Sequence, residues 1–233
     1  MNKGVNDTLL SNFELMSIQT EVLFSHNQFG KITSINEPES TVAPRFFLGH
    51  TKDGTIRRYR FDLPNVLINE IEELFTNHPN HIDLAKIMHI LSGEQPIHKI
   101  WIGPAFVFPN KLDNPIRAIK ITETNKELLQ YSFPNLLHQL KWRQPCFVIL
   151  ENEMIASICC SARSTTIAAE ASGETLVSFQ GKGYGYNVVA AWAKAVQEEG
   201  RIPLYSTSWD NFASQAVAKL LKLINYGTDI HFS

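Results

Sequence analysis

The stretch Gln180-Gly181-Lys182-Gly183-Tyr184-Gly185 decides the fold of this chain. It follows a run that is predicted as a strand, Glu174 to Phe179, and leads directly into a helical run, Tyr184 to Glu199. Its glycines keep side chains away from the backbone, and the start of a helix carries unpaired N–H donors and a partial positive charge. The stretch therefore predicts a pyrophosphate site at a strand–loop–helix junction.

Two common nucleotide-binding loops do not fit this stretch. A Walker A loop requires G-x-x-x-x-G-K-[ST], whereas Lys182 lies between glycines and is followed by neither Ser nor Thr. A Rossmann loop requires G-x-G-x-x-G near the start of a longer, repeated chain, whereas the glycines here run G-x-G-x-G with little chain after them. A third pattern, Q/R-x-x-G-x-G/A, is met by Gln180, Gly183 and Gly185.

The segments after the loop are predicted as helix, strand, helix and strand. The first helix has apolar residues at helix spacing, at Val188, Val189, Trp192, Ala195 and Val196, and is expected to end at Gly200. A strand at Ile202 to Thr207 follows. Asp210 or Asn211 is expected to cap the second helix, whose apolar positions are Val217, Leu220, Leu221 and Ile224. Thr228 to Phe232 is predicted as the last strand.

With this order of elements the chain resembles the GNAT superfamily of acyl-CoA-dependent N-acetyltransferases, in which Q/R-x-x-G-x-G/A binds pyrophosphate. The resemblance covers residues 100 to 233 and is closest to a bacterial subgroup of unassigned substrate. It implies an α+β or α/β fold with a mixed, mostly antiparallel central sheet flanked by helices, plus a small α+β domain at the N-terminus. The predicted domains are therefore an N-terminal module of hairpins and two helices at 1–98 and an acetyltransferase-like domain at 99–233.

Residues upstream of the glycine loop also match this family pattern. They read as a first strand, two helices on the acceptor side, a hairpin and a central strand or strand pair, at Arg117 to Thr122, Asn125 to Tyr131, Asn135 to Trp142, Cys146 to Leu150 with Met154 to Ser161, and Thr166 to Phe179.

The resemblance implies acetyl-CoA as co-substrate, a small-molecule or protein amine as acceptor, and no metal. The implied CoA-binding residues are Thr175, Leu176, Val177, Gln180, Gly181, Lys182, Gly183, Tyr184, Gly185, Asn211 and Ser214. The pantetheine amides would pair with the strand around residues 174–177 in the manner of an added strand. A backbone N–H at Leu176 or Val177 would stabilise the tetrahedral oxyanion.

Two carboxylates on the predicted central strand are candidates for the general base. Glu170 and Glu174 would face the same side of an unbroken strand, and a bulge between them would separate them. Glu170 is preferred because it lies farther from the pyrophosphate loop. A tuned general base contributes ~10²–10⁴-fold to the rate.

The chain departs from the family pattern at the general acid. Ala218 stands where many relatives have a Tyr that protonates the leaving thiolate, and Tyr184, Tyr205 and Tyr226 are the candidate substitutes. Two alternatives therefore stay open: a non-catalytic acyl-CoA sensor, and a regulatory or interaction protein on the same fold.

Composition places further limits on function. The net charge of −2 argues against nucleic acid as the main partner, and no apolar run is long enough to span a membrane. We therefore expect no membrane partner and a cytoplasmic location, and leave a homodimer open. The three cysteines, Cys146, Cys159 and Cys160, have no zinc spacing and are expected to be buried free thiols.

The first hundred residues predict two hairpins and two helices. The hairpins are expected at Val22 to Ile35 and at Arg45 to Phe61, and the helices at Val66 to Phe75 and, capped by Asn80, at Ile82 to Leu91. Trp101 to Pro109 is expected to connect this module to the rest. The module either shapes the acceptor side of the cleft or is a packing or dimerising appendage.

Overall fold

The computed structural model describes residues 10–39, 42–78, 81–112 and 117–233. Its helices are α1 (Asn12–Leu23), α2 (Asn65–Asn77), α3 (Leu84–Ser92), α4 (Pro134–Gln139), α5 (Tyr184–Glu198) and α6 (Phe212–Leu220), with 3₁₀ turns at Lys126–Leu129 and Val177–Phe179. Its strands are β1 (Phe24–His26), β2 (Ile32–Ile35), β3 (Phe46–Thr51), β4 (Gly54–Tyr59), β5 (Ile100–Val107), β6 (Ile119–Ile121), β7 (Cys146–Glu151), β8 (Met154–Ser164), β9 (Ala168–Thr175), β10 (Ile202–Ser206) and β11 (Ile224–Phe232).

Within the described residues, the main sheet has nine strands in the order β4-β3-β11-β5-β10-β9-β8-β7-β6. The pair β9–β10 is parallel, and all other neighbouring strands of this sheet are antiparallel. The hairpin β1–β2 forms a separate small sheet. The predicted mixed, mostly antiparallel sheet flanked by helices is therefore confirmed.

Helices cover both faces of the sheet. On one face, α1 packs over β9 and β11, and the 3₁₀ turn with α4 packs over β6 to β8. On the other face, α2 and α3 cover β3 and β11, while α5 and α6 cover the strands from β7 to β10. Strand side chains alternate between the two faces, so each face has its own hydrophobic core.

Helix α1 was not predicted, and local signals explain why it forms. Ser11 accepts a hydrogen bond from the Glu14 N–H, and the Glu14 carboxylate accepts one from the Ser11 N–H, which is a capping box. The helix lies close to the sheet because Gly49 on β3 has no side chain: a Cβ atom there would lie 2.4 Å from Met16.

The segment predicted as a connector is a central strand of the sheet. Trp101 to Pro109 was expected to join two modules, but β5 lies between β11 and β10. Gly103 on β5 allows the chain after β10 to approach closely, since a Cβ atom there would lie 1.7 Å from the Thr207 carbonyl oxygen. Pairing between distant segments, which has no local signal, decides the position of this strand.

Several predicted boundaries also change. The strand expected to reach Phe179 ends at Thr175, and Ile224, expected on the last helix, begins β11. Asn80 lies outside the described residues, and Asp83 caps α3. The division into 1–98 and 99–233 stays a prediction, although β3 and β4 belong to the same sheet as the strands after residue 99.

Candidate active site

The site begins where the two parallel strands separate. Strands β9 and β10 pair from Ile202 with Ala168 to Leu204 with Glu170, and beyond that point the pairing stops. Strand β9 continues to Thr175 and β10 to Ser206. A cleft of about 570 Å³ opens there on the side of α5 and α6, so an extended ligand can lie beside β9.

The glycine loop closes one end of this cleft. Gly181 and Gly183 have φ angles of +78° and +76°, a conformation that favours glycine, and Gly183 is the N-cap of α5 without a capping side chain. Among the described residues, the amides of Gly181 to Gly185 donate to no backbone carbonyl. Unpaired N–H groups at the start of a helix can bind an anion, and the pyrophosphate site at this loop stays a prediction.

Most of the predicted CoA-binding residues lie together around this cleft. Those that line it are Thr175, Gln180, Gly181, Gly183, Tyr184, Gly185, Asn211 and Ser214, together with Glu174. Asn211 caps α6 by accepting a hydrogen bond from the Ser214 N–H at 3.0 Å. This cap fixes the start of α6 at the wall of the cleft.

Three predicted residues do not line the cleft. Leu176 packs toward the core near α4, and its N–H already donates to the Ala156 carbonyl at 3.0 Å. Val177 is 85% exposed in the 3₁₀ turn. Lys182 lies over the Phe179 ring, with Nζ 5.3 Å from its centroid. The strand was expected to continue through Leu176 and Val177. Because β9 ends at Thr175, these two residues do not lie beside the cleft.

Other backbone groups face the gap between the strands. Ile202 donates to the Ile167 carbonyl on the β10 side of β9, and Leu176 donates to the β8 side. Backbone groups alternate between the two edges of a strand. Ala171, Gly173 and Thr175 therefore turn their N–H and C=O groups toward the gap. Ala171 and Gly173 were not predicted from the sequence, because the point at which β9 and β10 stop pairing has no local signal.

Glu170 is the last residue of β9 that pairs with β10, and it is 3% exposed. Its Oε1 accepts a hydrogen bond from Ser206 Oγ at 2.7 Å, and its buried Oε2 has no partner among the described residues. Burial raises the pKa of this carboxyl to about 7. A base with this pKa is half ionised near neutral pH, which suits proton abstraction from an amine.

Glu174 occupies a different environment on the same face of β9. The β8–β9 pair has its register shift on β8, between Ser161 and Arg163, so β9 itself is unbroken between the two carboxylates. Glu174 lines both the cleft and a second cavity of about 350 Å³ that also contains Arg143 and Cys160. Of the two predicted carboxylates, Glu170 is the buried one.

The three candidate tyrosines are separated by the structure. Tyr205 lines the cleft, and burial raises its pKa to about 12, so its hydroxyl is protonated at neutral pH. Tyr184 donates to Glu151 Oε2 at 2.7 Å. Tyr226 is buried on the opposite face and donates to Gln19 Oε1 at 2.8 Å. Ala218 is buried against the α5 core and offers no hydroxyl.

All three cysteines are buried and unbridged, as predicted. Cys146 and Cys160 are register partners on β7 and β8, and Arg143 Nη1 lies 3.8 Å from Cys160 Sγ. The hydrogen bond from Cys146 and the charge of Arg143 lower the pKa of the Cys160 thiol. The sequence reasoning found no group that would lower a cysteine pKa because Arg143 is brought close only by folding.

No cluster of His, Cys, Asp and Glu suited to a metal occurs in the described part of the chain. No helix among the described residues is long and apolar enough to span a membrane.

Comparison with known proteins identifies the fold. No family model matches the sequence, and no match was found among curated proteins. A GCN5-related N-acetyltransferase-like protein from Streptococcus suis is 12% identical with a TM-score of 0.52, over 96% of this chain and 100% of that protein. A protein described as an acetyltransferase of the GNAT family from Novosphingobium aromaticivorans is 10% identical with a TM-score of 0.51. That likeness covers 58% of this chain and 65% of that protein.

These structures show that the chain has the fold of the GNAT superfamily. At identities of 10% and 12%, the likeness concerns the fold alone.

Proposed function

We propose that the chain is an N-acyltransferase that transfers an acetyl group from acetyl-CoA to a primary amine by direct attack in a ternary complex. The observation that supports this most is the separation of β9 from β10 directly after Glu170 and Leu204. It leaves one edge of β9 open beside the cleft that ends at the glycine loop.

In this proposal the CoA pyrophosphate binds the backbone amides of Gly181 to Gly185 at the start of α5. The pantetheine arm lies in the cleft and pairs with the open edge of β9, as an added strand would. Residues Gly173 and Thr175 offer N–H and C=O groups for this pairing, and Asn211 and Ser214 form the facing wall.

The acyl transfer then uses groups on β9 and β10. Glu170 takes a proton from the amine, whose nitrogen attacks the thioester carbonyl carbon. An N–H on the open edge of β9, at Ala171 or Gly173, stabilises the oxyanion. When the C–S bond breaks, the CoA thiolate takes a proton from the Tyr205 hydroxyl, and the proton held by Glu170 then restores Tyr205 through solvent. Alternatively, CoA leaves as the thiolate and Glu170 releases its proton to solvent.

The test has two stages. In a thermal-shift titration, CoA and acetyl-CoA should both raise the melting temperature, by the equivalent of about 2.7 kcal/mol when the ligand is at about 100 times its dissociation constant. Release of the CoA thiol from acetyl-CoA should then depend on an added amine. An unchanged melting temperature contradicts CoA binding, whereas a shift without thiol release from any amine supports the non-catalytic sensor instead.

A further inference from the structure

A third cavity lies on the opposite face of the sheet from the CoA cleft. It has a volume of about 470 Å³ and is lined by Glu170 together with residues of α1, the β1–β2 hairpin, β5, β8 and β11. Cavities of about 300–1,000 Å³ accommodate small-molecule ligands. Because Glu170 is the proposed base, this cavity is where an acceptor would meet it.

Three residues that line this cavity carry buried polar atoms without a hydrogen-bond partner among the described residues. They are Glu170 Oε2, Arg163 Nε and His231 Nε2. Buried polar atoms in native proteins almost always have a partner. A ligand that donates to Glu170 and accepts from Arg163 or His231 would satisfy them.

The charges in the cavity are of both signs. Arg163 is the register partner of Glu170. Its Nη2 donates to Glu37 Oε1 at 2.6 Å, and its Nε has no hydrogen-bond partner among the described residues. His231 Nε2 lies 3.6 Å from Asp229 Oδ2, which is longer than a hydrogen bond. Lys99 is exposed and also lines the cavity.

The rest of the cavity is apolar. Trp101 lies against His231, with ring centroids 4.9 Å apart, and Leu23, Phe24 and Ile35 complete this part of the wall. The acceptor therefore meets the Glu170 carboxylate, several donors of hydrogen bonds and an apolar wall.

We propose that the acceptor is an amine that carries an acidic group a few bonds from its nitrogen and an apolar side chain, as an α-amino acid does. The ammonium group would approach Glu170, the acidic group would accept from Arg163, His231 or Lys99, and the side chain would contact Trp101. The proposal rests on the acyltransferase function above. It disfavours polyamines and lysine side chains, whose amines have no acidic group so close.

Matched ligand pairs test this inference by binding, independently of catalysis. L-phenylalanine is compared with phenethylamine, and L-leucine with isopentylamine, with spermidine as a third class, by following tryptophan fluorescence. We expect each amino acid to bind at least tenfold more tightly than its decarboxylated partner. The signal should be lost in Trp101→Phe. In Lys99→Gln the ratio of the two affinities, amino acid over decarboxylated partner, should fall. Lys52→Gln, which replaces an exposed lysine of the β3–β4 turn, should leave this ratio unchanged.

Each outcome decides between the two proposals. Equal or tighter binding of the decarboxylated amines or spermidine, or no binding of either amino acid at millimolar concentration, overturns the inference. Thiol release driven by the simple amines in that case leaves the acyltransferase function standing. Selective binding of the amino acids without thiol release contradicts the transferase function while the ligand preference holds.

Discussion

Ser206 Oγ donates a hydrogen bond of 2.7 Å to Glu170 Oε1 across the last paired position of β9 and β10. The bond connects the two strands just before they separate, and it orients the buried Glu170 carboxylate. It also lowers the pKa of Glu170, which burial raises. The balance leaves a carboxyl that titrates near neutral pH.

Replacing Glu170 should remove the general base. Glu170→Gln is expected to reduce kcat/KM by ~10²–10⁴-fold at neutral pH. In the unchanged protein, kcat/KM should rise with pH and level off above about 7, the pKa of this carboxyl, because the ionised form is the base. Thiol-release kinetics between pH 5 and 9 measure both effects. Glu174→Gln is the matched control, and a larger loss there would transfer the role to Glu174.

The same residue should make folding stability depend on pH. The Glu170 pKa is raised from 4.5 to about 7 in the folded protein, so the folded state binds its proton more tightly than the unfolded state. Its contribution to the free energy of unfolding is therefore fully present below about pH 4.5 and is lost as the pH rises to about 7. In denaturant titrations, the free energy of unfolding of Glu170→Gln should fall less over this pH window than that of the unchanged protein. An identical pH profile in both proteins would contradict the raised pKa.

The glycine loop can be tested with a pair of glycines of equal backbone conformation. Gly183 and Gly200 both have φ +76° and open space around an added Cβ atom. Alanine at either position should therefore destabilise the protein by about 1–2 kcal/mol, the cost of the left-handed conformation. Only Gly183→Ala should also weaken CoA binding in thermal-shift titrations, because it reorients the loop amides. Equal CoA shifts in both variants would refute the loop assignment.

Tyr205 should matter for catalysis more than for folding. Tyr205→Phe removes a hydroxyl that makes only a 3.4 Å contact with the Ser214 carbonyl, and is expected to lower kcat by about 10²-fold, at the low end for general acid catalysis. Tyr226→Phe is the control on the other face of the sheet, where loss of the hydrogen bond to Gln19 should cost stability and leave kcat unchanged. A normal kcat in Tyr205→Phe would mean that the thiolate leaves without this acid.

Cys160 should be the most reactive thiol of the chain. It lines a cavity and lies beside Arg143, whereas Cys159 is on the other face, where burial raises its pKa. Iodoacetamide at pH 7.5, followed by mass spectrometry, should modify Cys160 first, because the thiolate is the reacting form. Arg143→Gln should slow this reaction several-fold. Faster modification of Cys159 would contradict the assignment.

Local rules explain which parts of the site could be predicted from the sequence. The helix start at Gly183 depends on glycine φ angles, and the cap at Asn211 on a side chain and an N–H three residues away. Such signals lie within a few neighbouring residues. The strand prediction failed at Leu176 and Val177 for the converse reason: β9 ends at Thr175, where its pairing with β8 ends, and no neighbouring residue marks that point.

The sequence by itself determined the glycine loop at the start of α5, the order of elements around it and the GNAT type of fold, because each depends on backbone preferences and spacing along the chain. Only the tertiary structure decided that β5 lies in the middle of the sheet and that α1 covers its face. It also decided that Glu170 is buried beside Ser206 at the opening between the strands. These features depend on contacts such as that between Gln19 and Asp229, 210 positions apart, which form only when the whole sheet assembles.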